Sequence, residues 1–463
     1  MNAGLRHPEA EERRKSVAAL SAGEVAHALP DLYALLDDAD WRVRREVAHA
    51  IARLRDPEPA IEPLVDSVVT GDVARRNAAM EALRTIGHIA GASVLARYRR
   101  TTDAPRRFLI EVLADIGGDP AVPLLKSALE DADPNIAHAS AEALGRIPGA
   151  AASAALREAL GHEDAVVRLA TLQAFATRGE VLQWRELEPL LADPMCRRAA
   201  IRAAASCPDP HALQAIAAAL SDRNATLAGE AAIAASLAAR HGRRDAIRTA
   251  LASRPGAARV LGLLAERGAA IEARRGAIDC LGLLAEPTAI VVVLHATESN
   301  ETSAAAGEAL DAFHADALPH ALAAANTFGA NGTEALLRWG LQHANSSDHE
   351  ALVRIAWGAI ENGHTSVAPW DVIASVGSET DGRNLIAKLR APQGWLDPNE
   401  LSRPVVTLVA RHPNLSSELA DVAPLTSRLG LLVAGIVAAA GHSVPLDAPD
   451  AFLAAARAFL TGE

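Results

Sequence analysis

A repeat of 31 residues is the feature of this sequence that most limits its fold. One position holds arginine in four of five copies, and the positions four and seven residues later are small or apolar in all five. The three series are Arg44, Arg75, Arg106, Ala137 and Arg168; Ala48, Ala79, Ile110, Ala141 and Leu172; and Ile51, Ala82, Leu113, Leu144 and Phe175. These spacings mark one face of an amphipathic helix. Its fixed recurrence predicts a stack of similar helical units.

Each unit reads as two helices joined by a short acidic turn. An aspartate stands just before the second helix, where its carboxylate can accept hydrogen bonds from free N–H groups of the first turn. These aspartates are Asp40, Asp72, Asp103, Asp133 and Asp164. Asp-Pro and Gly-Asp-Pro sequences separate successive units, because proline disfavours a helical conformation in the residue before it.

The composition supports helices throughout. Of the 463 residues, 50% are hydrophobic but only 3% are aromatic, so alanine and leucine supply most of the apolar content. Both residues favour helices over strands. A single core rarely exceeds about 250–300 residues, so a chain of this length requires several domains or an elongated array.

The segment 40–51 (DWRVRREVAHAI) and its copies resemble HEAT repeats, in particular the short bacterial repeats first associated with phycobilisome lyases. The resemblance implies an all-α fold, a right-handed α-solenoid of helical hairpins. It says little about function, since similar repeats occur in adaptors, regulators, lyases and a few enzymes.

We predict three regions: an N-terminal cap helix in 1–29, the repeat solenoid in 30–315, and a divergent helical region in 316–463. In the last region serine, threonine and asparagine become frequent and the Val-Arg turn disappears. Helical patterns persist there at 333–343, 349–361, 383–389, 405–412 and 451–460.

Four of the six tryptophans, Trp339, Trp357, Trp370 and Trp395, lie in the divergent region. Two interpretations stand. Large rings can fill gaps that irregular stacking leaves, or they can form a docking surface, because tryptophan is enriched where proteins bind one another.

Paired arginines suggest two roles. In repeats similar to these, one arginine in each unit pairs with the acidic turn of a neighbouring unit, and Asp40, Asp133 and Asp164 are placed for that role. The second arginine has no such duty. Arg45, Arg76 and Arg107 would recur on one edge of the array, and we call these three residues the basic stripe. The stripe is the first candidate for a partner-binding surface, and Trp339, Trp357 and Trp370 are the second.

The net charge of −12 and the pI near 5.8 argue against nucleic acid as the partner, because nucleic-acid-binding proteins usually carry a basic footprint. An acidic protein surface suits the stripe better, since the arginine fork matches a carboxylate.

No catalytic motif, cofactor site or metal site emerges. The HEAT-like deoxyhypusine hydroxylases hold iron on several His-Glu pairs, but only His162-Glu163 and His349-Glu350 occur here and no further pair supplies the other ligands. Cys196, Cys207 and Cys280 form no CxxC pair. We therefore expect a chain that is not an enzyme. The alternatives are a bilin lyase, which the repeat subtype suggests, and a nucleic-acid-binding or nucleic-acid-modifying protein.

The N-terminus has no apolar signal segment, and the most apolar run, 429–441, is too short to cross a bilayer. We expect a cytoplasmic protein without membrane contact, acting as a protein-interaction scaffold or regulatory adaptor. The resemblance suggests a bacterial signalling system as its setting.

Overall fold

The computed structural model of the chain describes residues 3–102, 105–268, 270–389 and 400–419. Within these ranges the secondary structure is helical and no strand occurs. The chain divides into two compact units, Met1–Ala212 and Leu213–Glu463.

The first unit contains thirteen helices among its described residues. They are α1 (Ala10–Ala18), α2 (Ala22–Leu35), α3 (Trp41–Ala52), α4 (Glu58–Thr70), α5 (Val73–Ile86), α6 (Gly91–Arg100), α7 (Arg106–Ile116), α8 (Gly118–Ala128), α9 (Pro134–Arg146), α10 (Ala150–Ala159), α11 (Ala165–Arg178), α12 (Trp184–Ala192) and α13 (Arg197–Ala204). Helix α14 (Pro210–Ala219) spans the division between the units.

The described residues of the second unit form shorter and less regular helices. They are α15 (Ala225–Ala238), α16 (Arg244–Ala252), α17 (Ala257–Arg267), α18 (Ile271–Leu284), α19 (Ile290–Ala296), α20 (Ser303–Leu310), α21 (Leu318–Ala323), α22 (Ala330–His343), α23 (His349–Glu361), α24 (Ala368–Val376), α25 (Glu379–Leu389), α26 (Ser402–Arg411) and α27 (Ser416–Leu419). A π-helical turn, Ala239–Arg243, joins α15 to α16.

The first unit is a two-layer stack of helical hairpins. The second helices α3, α5, α7, α9 and α11 pack on one another in chain order, and each also packs on the first helix of its own pair. Every residue of the two apolar series is buried, so the predicted core face is confirmed. Small residues let the backbones approach: a Cβ atom at Gly145 of α9 would lie 2.8 Å from the Cβ atom of Ala174 on α11.

The acidic turns cap the second helices as predicted. Asp40 accepts a hydrogen bond from the backbone N–H of Arg42 at 2.8 Å, and Asp72 accepts one from Arg75 at 2.9 Å. Asp133 and Asp164 make the same contact two residues ahead. Asp103 lies outside the described residues.

Helix α2, the first helix of the first hairpin, begins before residue 30. Helix α2 starts at Ala22, where Ser21 and Glu24 form a reciprocal capping box, so the boundary drawn between residues 29 and 30 falls inside a helix. Pro30 lies within α2, and α4, α8 and α12 also contain an internal proline. Each of these internal prolines removes one backbone hydrogen bond from its helix, and α4 has a further proline, Pro59, in its first turn.

The second unit keeps the hairpin principle with less regularity. Helices α15, α18 and α20 pack in succession, and α22, α24 and α26 do the same further along the chain. The helices expected at 333–343, 349–361, 383–389 and 405–412 are present. The segments 429–441 and 451–460 lie outside the described residues.

The described residues of each unit therefore form an all-α solenoid, which confirms the predicted fold class. Right-handedness and the three-part division of the chain stay predictions.

Candidate functional site

The first arginine of three repeats forms an ion pair with an acidic turn of a neighbouring repeat. Arg75 contacts Asp37 at 2.5 Å, Arg106 contacts Asp131 at 2.8 Å, and Arg168 contacts Asp193 at 2.6 Å. These pairs hold successive repeats in register, as the sequence predicted for this position.

The predicted partner aspartates were wrong. Asp40, Asp133 and Asp164 are occupied as helix caps, and the pairing carboxylate in the turns before α3 and α9 stands two residues earlier, at Asp38 and Asp131. Each of these two also accepts a hydrogen bond from the backbone N–H two residues ahead. One carboxylate therefore shapes the turn and receives the arginine.

Two of these aspartates, Asp193 and Asp40, have lowered pKa values because of their arginine contacts. The hydrogen bond from the Arg168 guanidinium lowers the pKa of Asp193 to about 2. The Arg42 side chain does the same for Asp40, whose pKa is also lowered to about 2. Both carboxylates remain charged far into the acid range.

Arg44 departs from its series. Its guanidinium donates to the backbone carbonyls of Asp38 at 2.5 Å and Ala39 at 3.2 Å. The carboxylate of Asp38 is bound instead by Arg13, whose Nε is 2.7 Å from it. Arg13 stands 31 residues before Arg44. The periodic arginine series thus begins at Arg13, one repeat before Arg44.

The basic stripe divides into two kinds of residue. Arg45 and Arg107 are exposed, and among the described residues neither guanidinium forms a hydrogen bond or an ion pair. Arg76 is half-buried and donates to the carbonyls of Val68 at 3.2 Å and Gly71 at 2.9 Å. The expectation that the second arginine has no structural role is therefore wrong for Arg76, which caps the C-terminal end of α4 through these hydrogen bonds.

An aromatic ring brings two stripe residues together. The guanidinium carbon of Arg76 lies 4.2 Å from the ring centroid of Phe108, and that of Arg107 lies 4.6 Å from it. Both are within cation–π range. Sequence reasoning missed Phe108, because aromatic residues do not recur at its position in the repeat.

A cavity of about 360 Å³ opens beside this ring, between α7 and α9. Its lining includes Arg107, Phe108, Glu111, His138, Glu142 and Arg146. Most of these charges have partners: Glu111 pairs with Arg84 at 3.0 Å, Arg146 pairs with Asp115, and Glu142 is 3.6 Å from His138. Arg107 is the cation of this lining that has no anionic partner among the described residues. The cavity therefore offers an unpaired positive charge beside an aromatic ring.

Two of the three described tryptophans of the second unit, Trp339 and Trp370, are buried in its interior. Trp370 is 1% exposed and Trp339 is 5% exposed, and neither indole Nε1 has a hydrogen-bond partner within the described residues. Trp357 is half-buried and donates from Nε1 to Asp381 at 3.0 Å. Trp339 and Trp370 thus occupy the positions that gap filling requires. Trp395 lies outside the described residues.

The His-Glu pairs do not assemble into a centre. His162 lies in the turn before α11, 3.2 Å from Glu130, and Glu350 lies 4.0 Å from Arg354. In the described part of the chain, no three His, Cys, Asp or Glu side chains cluster as a metal ion would require. Cys196, Cys207 and Cys280 are buried thiols.

Among the described residues, no helix combines the length and the apolar character needed to cross a membrane.

Comparison with known proteins gives a family match in the first unit. Residues 2–84 and 92–176 match HEAT repeats. No curated protein matches the sequence.

Several solved structures are similar at low identity. An engineered protein is 22% identical over 66% of this chain and 96% of its own, with a TM-score of 0.37. Yeast importin-beta (Kap95p) is 14% identical over 99% of this chain and 68% of its own, with a TM-score of 0.43. Kap121p is 11% identical over 90% of this chain and 57% of its own, with a TM-score of 0.49. These likenesses support no statement about function. By the family match, residues 2–84 and 92–176 of this chain are HEAT repeats.

Proposed function

We propose that the chain is a protein-interaction scaffold or adaptor whose first unit binds an acidic segment of another protein at the basic stripe. The observation that carries the proposal is the exposed, unpaired guanidinium of Arg107 at the edge of the cavity between α7 and α9. The solenoid supplies the scaffold, and the stripe supplies the contact.

The contrast between the two arginine series supports a binding role for the second. Arg75, Arg106 and Arg168 are committed to internal ion pairs, whereas Arg45 and Arg107 hold exposed donors. A guanidinium can bind a carboxylate through two parallel hydrogen bonds, and such charge-assisted bonds are stronger than neutral ones. Trp41, which is 59% exposed, stands one helical turn before Arg45 and adds apolar surface on the same side of α3.

In this proposal the protein acts in the cytoplasm, by binding its partner and not by catalysing a reaction. A bacterial signalling system is the setting that the repeat resemblance suggests. A bilin lyase and a nucleic-acid-binding protein are the competing functions, and each predicts a different bound material.

The experiment is affinity purification of the tagged chain from its native cell, with mass spectrometry and an absorbance scan of the eluate. The test variant carries Arg45→Glu and Arg107→Glu. Arg76 stays unchanged because it holds the end of α4. The matched control carries Arg99→Glu and Arg185→Glu, two exposed arginines on the first helices α6 and α12, and therefore has the same net charge.

We expect a reproducible protein partner that the control retains and the test variant loses by roughly tenfold or more, since a hydrogen bond to a charged group contributes about 1.5–3 kcal/mol. Equal capture of the partner by the wild type, the test variant and the control would refute binding at the basic stripe. Bound pigment or nucleic acid without a protein partner would refute the scaffold function.

A further inference from the structure

Two neighbouring helix interfaces of the first unit differ at one pair of equivalent positions. Between α5 and α7, the guanidinium carbon of Arg76 lies 4.2 Å from the ring centroid of Phe108. One repeat of 31 residues later, between α7 and α9, the equivalent residues are Arg107 and Ala139. The second interface therefore keeps the arginine but lacks the aromatic ring that the arginine covers in the first.

The cavity of about 360 Å³ lies in this second interface. Arg107 and Ala139 both line it, together with the ring of Phe108 and the small side chains of Ala114 and Ala143. An apolar cavity of about 150 Å³ is enough to hold benzene. The cavity between α7 and α9 therefore has room for an aromatic side chain and for part of the chain that carries it.

Arg107 also lacks the hydrogen-bond acceptors that Arg76 has. While it lies over its ring, Arg76 donates to two backbone carbonyls at the end of α4. The carbonyls at the equivalent positions one repeat later receive no hydrogen bond from Arg107, which has no hydrogen-bond or ion-pair partner among the described residues. Its guanidinium carbon lies 4.6 Å from the ring centroid of Phe108. Arg107 thus presents free donors beside an apolar space.

We infer that the cavity between α7 and α9 binds an aromatic side chain of the partner protein, with a neighbouring carboxylate of the same segment bound to Arg107. The partner's ring takes the place in this interface that Phe108 takes in the preceding one, within cation–π range of a guanidinium. The carboxylate supplies the missing acceptor, and it matches the arginine fork. This inference rests on the proposed function and specifies the chemistry of its partner.

The first test measures the binding of three unlabelled synthetic peptides to the full chain by isothermal titration calorimetry. The first peptide carries Glu-Phe-Glu between Gly-Ser segments. Alanine replaces the phenylalanine in the second peptide, and glutamine replaces both glutamates in the third. We expect each change to weaken binding at least tenfold, because one removes a buried ring and the other removes a charge-assisted hydrogen bond. Binding of either changed peptide as tightly as the first would overturn the inference.

The second test fills the cavity from within. Ala139→Phe places a ring on α9 at the position equivalent to Phe108, where it competes with the ring of the peptide for the same space. The control, Ala151→Phe, makes the same change at an exposed position of the first helix α10. We expect Ala139→Phe to bind the first peptide at least tenfold more weakly than the wild type, with unchanged helicity by circular dichroism, and the control to bind as the wild type does. Tight binding by folded Ala139→Phe would overturn the inference, and the comparison of peptides on the wild-type chain decides it if this variant does not fold.

A free aromatic acid is the competing occupant of the cavity. Phenylacetate that binds as tightly as the first peptide would identify a small-molecule site and overturn the inference. If Ala139→Phe captures the native partner but the Arg45→Glu, Arg107→Glu variant does not, the inference is wrong and the proposed function stands. If both variants capture the native partner as the wild type does, both proposals are wrong.

Discussion

Replacement of Trp370 by alanine tests whether the tryptophans of the second unit build its core. Trp370 is 1% exposed and belongs to a buried apolar cluster that also includes Ile373, Ile386 and Val406. These neighbours lie on α24, α25 and α26. Removal of the indole leaves a cavity in this buried cluster.

The magnitude follows from the buried area. A fully buried indole removes roughly 200 Å² from water, which at about 25 cal/mol per Å² corresponds to about 5 kcal/mol. The Nε1 atom has no hydrogen-bond partner among the described residues, and its removal returns about 1–2 kcal/mol of desolvation cost. We therefore expect Trp370→Ala to destabilise the helices around it by about 3–4 kcal/mol, within the range usual for such truncations.

Native-state hydrogen exchange is the suitable assay, because repeat proteins can open locally and a single unfolding free energy is then poorly defined. Amides of α24, α25 and α26 should lose protection in Trp370→Ala. The matched control is Trp41→Ala, which removes a ring that is 59% exposed and should cost less than about 1 kcal/mol. Unchanged protection in Trp370→Ala, or an equal loss around α3 in the control, would refute the reasoning.

Three further predictions concern packing, acid sensitivity and thiol reactivity. Gly145→Val should destabilise the fold by about 1–3 kcal/mol and thereby lower the urea midpoint, because even a Cβ atom there lies 2.8 Å from the Cβ of Ala174; a midpoint equal to the wild type would contradict the close packing. The Asp193 pKa is lowered to about 2 from its ordinary value of 3.8 by Arg168, so their pair stabilises the fold above pH 3.8 and this contribution is lost as the pH falls toward 2. The difference in denaturant midpoint between wild type and Arg168→Ala should narrow over that interval, and a constant difference would speak against the pair. Burial raises the pKa of the Cys280 thiol, so iodoacetamide followed by mass spectrometry should leave it unmodified in the folded chain and alkylate it in urea; rapid alkylation of the native protein would contradict the burial.

The helical architecture could be predicted because burial repeats with the sequence. All ten positions of the two apolar series, from Ala48 to Phe175, lie in the core. The aspartate caps could be predicted as well, since an aspartate just before an amphipathic helix usually caps the first turn of that helix. Both signals depend on residues near in sequence.

The partners of the arginine side chains could not be predicted in this way. Arg106 reaches Asp131 and not Asp133, because Asp133 is already occupied by the helix N-terminus that follows it. Arg76 bends toward the carbonyl groups at the end of α4, which no spacing reveals. A long arginine side chain can reach several acceptors, and the one it binds depends on the three-dimensional structure. The repeat predicts only the backbone position of the arginine.

The candidate site was predictable only in part. The positions of Arg45 and Arg107 follow from the repeat, but Phe108 and the cavity beside it arise in one repeat alone. Arg13 could have been found by extending the 31-residue series one step toward the N-terminus.

The most direct test of partner binding at the basic stripe is chemical modification of arginine in the presence of the captured partner. Phenylglyoxal reacts with accessible guanidinium groups, and mass spectrometry then reports the modified fraction at each arginine. Binding at the stripe predicts that the partner protects Arg45 and Arg107 while Arg99 and Arg185, on the first helices, react as in the free chain. Protection of Arg99 and Arg185 with full reaction of Arg45 and Arg107 would contradict binding at the stripe.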